Sequence, residues 1–311
     1  MRPQFSIIFF TTLAGMAQGL LFFIALAYLD SHTASSPFLT HLALPVAFVL
    51  LVLGLIASFF HLGHPERAWR AAMMWKTSWL SREVIALPAL MLVTLVVYFC
   101  AANGRVPKWL WIDLLICTLA LWICTAKIYQ CIRFIQEWSH PSTMINFIIL
   151  GLSSGLILLE LLIGLWDETG AQIIDAPLSM IAFLLLFIAF NLKLWIWKRN
   201  QGLKPKSNLS TATGIKGGNV RQTSMGLMGG SFNTREFFHH QTDRVINNLR
   251  KIILVCAYVI PMILIAYSIA KPNILMIAFA LMIHYLGLLA ERWMFFAEAN
   301  HPQNLYYQRV S

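Results

Sequence analysis

The chain is 311 residues long, 59% hydrophobic and only 12% charged, with a formal net charge of +10 at pH 7. Its apolar residues lie in long blocks, which excludes a soluble globular domain and indicates an integral membrane protein. The positive charge is a topology and lipid-surface signal that requires no nucleic-acid partner.

A helix needs about 20 residues to cross about 30 Å of hydrocarbon, and irregular backbone facing lipid would leave N–H and C=O groups unpaired. The expected fold is therefore all-α, a single membrane domain over 1–311 with eight transmembrane helices. The first block, about 6–28, carries Gln18 and the Gly15/Gly19 pair and exceeds a signal-peptide core in length. It reads as a retained span that packs through its small residues. The second block, about 41–61, ends at His61, and the third, about 84–102, is opened by Glu83. Between them FFHLGHPERAWRAAMMWKTSWLSREV, residues 59–84, packs ionisable groups against a membrane surface, where such groups usually have a role.

Cys117, Cys124 and Cys131 recur every seven residues on or just past the fourth span, about 109–128. They share a helical stripe and read as small packing residues. No C-x-x-C occurs among the five cysteines, so iron–sulfur, zinc and covalent haem ligation find no support. The fifth span, about 143–164, contains Gly151/Gly155 at close-packing spacing, and Glu160 near its far end. The sixth is expected at about 177–197. A basic loop, 199–251, then separates it from the seventh at about 252–270. That loop suits either a linker or a docking surface for a partner subunit, and its GLMGGSF lacks the Gly-Lys-Ser/Thr of a phosphate loop. Lys271-Pro272-Asn273 alone separates the seventh span from the eighth, about 273–296. Glu291 and Arg292, near that last span's end, are costly in a membrane unless paired or close to the interface.

An even number of spans puts both termini on one side. Twenty of the 23 Lys and Arg fall on that side, against Arg105, Lys108 and Lys271 on the other. Setting aside the eleven between 193 and 251 leaves nine against three, so the positive-inside rule places both termini in the cytoplasm. His284 is the one histidine well inside a span, so a bis-histidine haem lacks a pair at matching depth. His284 reads instead as an interior histidine bonded to a backbone carbonyl or a serine.

The hairpin brings His61 and Glu83 to one membrane face. Topology alone explains Arg67, Arg70, Lys76 and Arg82, but the mixture meets the needs of a lipid-soluble quinol. Imidazole and carboxylate accept protons, and Trp69, Trp75 and Trp79 supply flat apolar surface at headgroup depth. Ser81, Lys127, Tyr129 and Arg133 are expected near the same face, where any of them, like Arg67 and Arg82, would be placed to orient a quinone.

HLGHPERAWRA at 61–71, TSWLSREV at 77–84, KIYQCIRFIQEWSHPSTMINFIILGLSSG at 127–155 and ERWMFFAEANHPQNLYY at 291–307 resemble one family. It is the membrane anchor subunit of dimethyl sulfoxide reductases and related molybdopterin enzymes. The resemblance runs over most of the sequence. It implies a non-haem anchor in the bacterial inner membrane that binds and oxidises menaquinol in anaerobic respiration. The electrons would pass to a ferredoxin-like iron–sulfur subunit and then to a molybdopterin catalytic subunit, and the redox metals would reside in those partners. The quinol-linked histidine and acidic residue of the family fall on His61 and Glu83. Termini inside and a long basic loop depart from the enterobacterial members. A haem b-bearing cytochrome subunit and a secondary transporter are the other classes considered. No internal repeat supports the transporter.

Overall fold

A computed structural model describes residues 3–29, 36–60, 64–166, 176–204, 208–216, 220, 223, 239 and 241–302. Eight helices among them are long and apolar enough to cross a membrane, and no strand occurs among the described residues. The order is α1 (Phe5–Leu29), α2 (Leu44–Phe59) entered through a π turn at Leu39–Ala43, a 3-10 segment Pro65–Met74, α3 (Trp79–Ala102) and α4 (Lys108–Gln130). Then follow α5 (Pro141–Trp166), α6 (Ala176–Gln201), the short α7 (Leu209–Thr213) and α8 (Asp243–Ile253). A π segment, Leu254–Val259, joins α8 to α9 (Ile260–Ala270), and α10 (Ile274–Ala297) closes the bundle.

Local chemistry sets the helix ends. Ser78 caps α3, its side chain accepting the Ser81 N–H at 3.3 Å. The helix therefore starts at Trp79, and Glu83 lies one turn inside it rather than at its mouth. Asn273 caps α10 in the same way, accepting the Leu275 N–H at 2.9 Å, just past Pro272 at the tight turn. The seventh spanning helix is continuous from Asp243 through the π segment to Ala270, nine residues longer at its start than the apolar block alone suggests.

α1 is the central helix, packed against α5, α2, α4 and α10. Water exclusion does not hold helices together inside lipid, so close backbone approach and interhelical hydrogen bonds carry the packing. The Gly15/Gly19 and Gly151/Gly155 pairs meet each other. A Cβ at Gly19 would lie 2.0 Å from the Gly151 carbonyl oxygen, and one at Gly155 would lie 2.3 Å from the Gly19 carbonyl carbon. Gln18 adds a polar tie, donating to the Thr118 carbonyl of α4 at 3.1 Å. Apolar side chains such as Leu92, Phe99, Leu184 and Phe279 point outward, as a lipid-facing surface requires.

In the seventh span Pro261 has no N–H, which leaves the carbonyl of Ala257, four residues before it, without its regular helical donor. His284 Nδ1–H donates to that Ala257 oxygen at 2.6 Å, the backbone bond expected for an interior histidine. Gly287 lets α10 approach there, since a Cβ would come within 2.3 Å of the Ala257 nitrogen.

Candidate functional site

The face that carries both ends of the bundle is marked by packing of Ile8 with Ile135, Trp138, Phe296 and Ala299. Glu83 lies near this face, buried at 7% exposure on α3. The Thr125 hydroxyl of α4 donates to its Oε1. The two residues meet because α3 and α4 form an antiparallel hairpin: one is a turn from the start of its helix, the other a turn from the end of its own. A buried carboxyl with a single hydroxyl donor is well suited to take and return a proton.

The other sequence-derived candidates fall in different places. His61 lies outside the described residues. Ser81 is buried on the same turn as Glu83. Arg82 braces the corner before α3, donating to the Trp75 carbonyl at 2.9 Å and the Lys76 carbonyl at 2.8 Å, with its guanidinium 4.2 Å from the centre of the Trp79 ring. Arg67 is exposed and 3.7 Å from Glu66, which also pairs with His64 at 3.0 Å. Tyr129 belongs to an aromatic box with Trp138, Phe147, Phe295 and Phe296, its ring centroid 5.4–5.8 Å from each of theirs. Structure thus joins Ser81 and Glu83 on one turn, with Arg82 bracing the corner before them and Arg67 exposed in the 3-10 segment.

Behind that box lies a buried charged cluster. Lys193 of α6 donates to Glu291 Oε1 of α10 at 2.8 Å, and Asn146 of α5 donates to the same oxygen at 3.0 Å. Arg292 Nε is 3.2 Å from Glu291 Oε2, and its guanidinium lies 3.7 Å from the Phe147 ring centre. All four polar side chains are at most 3% exposed. Lys193 is thus no topology marker, although the charge count includes it. Its ammonium neutralises a carboxylate that lipid would not tolerate alone.

A narrow cavity of about 20 Å³ between α1, α4, α5 and α10 runs from Arg292 to Thr125 and is also lined by Trp122. Nearer the surface, burial raises the Glu298 carboxyl above its ordinary value even though Arg250 pairs with it at 3.1 Å. On the other membrane side Ser179 donates to the buried Glu160, well apart from this site.

Sequence reasoning flagged Glu83, Glu291 and Arg292 but missed Thr125, Asn146 and Lys193. Hydroxyls and amides carry no signal when each lies on a different helix. An antiparallel pairing of the third and fourth spans at equal depth was the one clue to Thr125.

A family model for "DMSO reductase anchor subunit (DmsC)" matches residues 1–298. The chain is 42% identical over 335 aligned positions to the C subunit of the sulfite dehydrogenase of Allochromatium vinosum, and the match spans the whole of both proteins. It is 26% identical over 200 positions to the C component of the anaerobic dimethyl sulfoxide reductase of Haemophilus influenzae, a match that spans 61% of this sequence and 71% of that one.

Proposed function

The chain belongs to the DMSO reductase anchor subunit family, and on that premise we propose that it exchanges electrons and protons between membrane menaquinone and an iron–sulfur partner. The observation that carries this reading is Glu83, a carboxyl buried one turn inside α3 and bonded by Thr125. His61, which precedes the surface corner in sequence, supplies the second proton acceptor. The complex sits in the bacterial inner membrane with both termini of this protein in the cytoplasm, as the basic residues direct. The ferredoxin-like subunit docks on that same face, and a molybdopterin subunit performs the terminal chemistry. No haem is needed in the anchor itself.

A quinol gives up two protons and two electrons together. Glu83 and His61 accept the protons at the ring hydroxyls, while the electrons leave to the partner's nearest cluster. The same groups serve the reverse reaction, in which quinone takes electrons from the partner and protons from the site. Menaquinol oxidation feeds a reductase; quinone reduction drains a dehydrogenase. Full-length 42% identity to a sulfite dehydrogenase component favours the second direction, with a sulfur oxyanion oxidised in the catalytic subunit.

The test is turnover of the assembled complex with a short-chain naphthoquinone and, separately, with a soluble dye that reaches the partner's metal centres directly. Glu83→Gln and His61→Ala are expected to lose quinone-linked turnover by about 100-fold, the low end of acid–base contributions, and to keep dye-linked turnover. Native quinone-linked rates in both variants would defeat the assignment. Sulfite-dependent quinone reduction exceeding quinol-dependent reduction of S- or N-oxides fixes the direction.

A further inference from the structure

Polar groups buried without a hydrogen-bond partner are rare because each costs about 1–3 kcal/mol. Nine such atoms occur among the described residues, and four of them, Trp122 Nε1, Arg292 Nη1, Asn146 Oδ1 and Trp197 Nε1, belong to residues that line cavities. Trp122 and Arg292 line the cavity that reaches Thr125. Asn146 lines a second cavity of about 20 Å³, shared with Lys193, Thr143 and Glu298. Trp197 lines an open cavity of about 460 Å³ at the surface. Glu137, Asn200 and Glu298 line both the second cavity and the open one. A cavity needs about 10–15 Å³ and two or more polar neighbours to hold a water, and both small cavities meet that condition.

Laid end to end, these features make one polar file between Glu83 and the surface. We propose that the file carries protons between Glu83 and the surface cavity at Glu298, with the Lys193–Glu291 pair as its middle relay. It runs from Glu83 to Thr125, across the first cavity to Arg292, whose Nε is 3.2 Å from Glu291 Oε2, then from Glu291 through Lys193 and the second cavity to Glu298. Arg292 touches both Glu291 and the first cavity and has only donors, so it positions the two rather than carrying a proton itself. In quinone reduction one proton enters at Glu298 and reaches the ring through Glu83 while His61 supplies the other, the partner's iron–sulfur carrier delivers two electrons, and one quinol forms. In quinol oxidation the proton taken by Glu83 leaves by the same file. Lys193 passes a proton to Glu291 and is recharged from Glu298, so no member holds more than one extra charge in transit.

The inference rests on the quinone site at Glu83, and the test keeps the two apart. Glu298 is remote from that site, so Glu298→Gln in the assembled complex interrupts the file without touching quinone contacts. Quinone-linked turnover with a short-chain naphthoquinone is expected to fall at least about tenfold, below the usual acid–base contribution because the exit is partly open to water. Binding of a quinone-analogue inhibitor stays native, added imidazole restores turnover as a diffusible proton carrier, and Glu298→Asp retains it. At the inner end, Thr125→Val slows turnover and Thr125→Ser keeps it. Native turnover in Glu298→Gln, a loss that imidazole does not restore, or weakened inhibitor binding would each overturn the conduit. Should Glu83→Gln itself turn over normally, the quinone site fails and not the conduit alone.

Discussion

The seam between α1 and α5 gives a prediction with a calculable size. A methyl at Gly155 would sit 2.3 Å from the Gly19 carbonyl carbon and the Leu20 nitrogen, both backbone atoms of α1 that have no rotamer to change. Ordinary contact begins near 3.4 Å, so α1 and α5 must part by about 1.1 Å. Overfilling of this kind costs about 1–3 kcal/mol. A gap of 0.5–1 Å also forfeits a quarter to a half of each dispersion contact along the seam, which puts Gly155→Ala at the upper end. Gly164→Ala is the control, because a methyl there meets the flexible tip of Ile274 at 3.1 Å. Equilibrium unfolding in detergent micelles of rising dodecyl sulfate content reads both. The reasoning is refuted if Gly155→Ala is as stable as the native protein, or if Gly164→Ala loses as much.

Two further outcomes follow from the buried charges and from the α5 entrance. Glu291→Leu leaves Lys193 and Arg292 buried without a carboxylate and should cost about 3–5 kcal/mol, whereas Lys193→Met leaves Glu291 paired with Arg292 and should cost less. Equilibrium unfolding that ranks Lys193→Met as the less stable of the two would contradict it. At the start of α5, His140 Nδ1 accepts the Ser142 N–H at 3.1 Å, and burial holds the imidazole below its ordinary value. A depressed histidine contributes stability that is full above about pH 6.5 and lost as pH falls through its folded value. The native protein should therefore lose stability relative to His140→Asn in thermal unfolding as the pH drops below that point; parallel curves for the two would contradict it.

The sequence made the bundle legible because lipid imposes a length and a composition on each crossing, and eight apolar blocks answer to eight helices. Gly15/Gly19 and Gly151/Gly155 announced close packing, although nothing in either pair named the other as its partner. Helix ends were less legible. Glu83 reads as the mouth of a span when only hydropathy is followed, and the Ser78 cap moves it a turn inward. Lys193 was hidden by its own charge: counting basic residues assigns it to the cytoplasmic surface, while tertiary structure pairs it with a carboxylate 98 positions away in sequence. Thr125, Asn146 and Trp122 are ordinary residues in a membrane helix until their neighbours are known. A polar file assembled from single contributions of α3, α4, α5, α6 and α10 leaves no pattern along the sequence.

The measurement closest to the central claim is binding of a quinol-analogue inhibitor to the assembled complex, followed by fluorescence quenching, for the native protein, Glu83→Gln and His61→Ala, with an optical spectrum of each sample. One inhibitor bound per anchor, binding lost or strongly weakened in both variants, and no b-type haem band is the expected result. Undiminished binding in both variants, or no binding to a correctly inserted native complex, would contradict a quinone site built on Glu83.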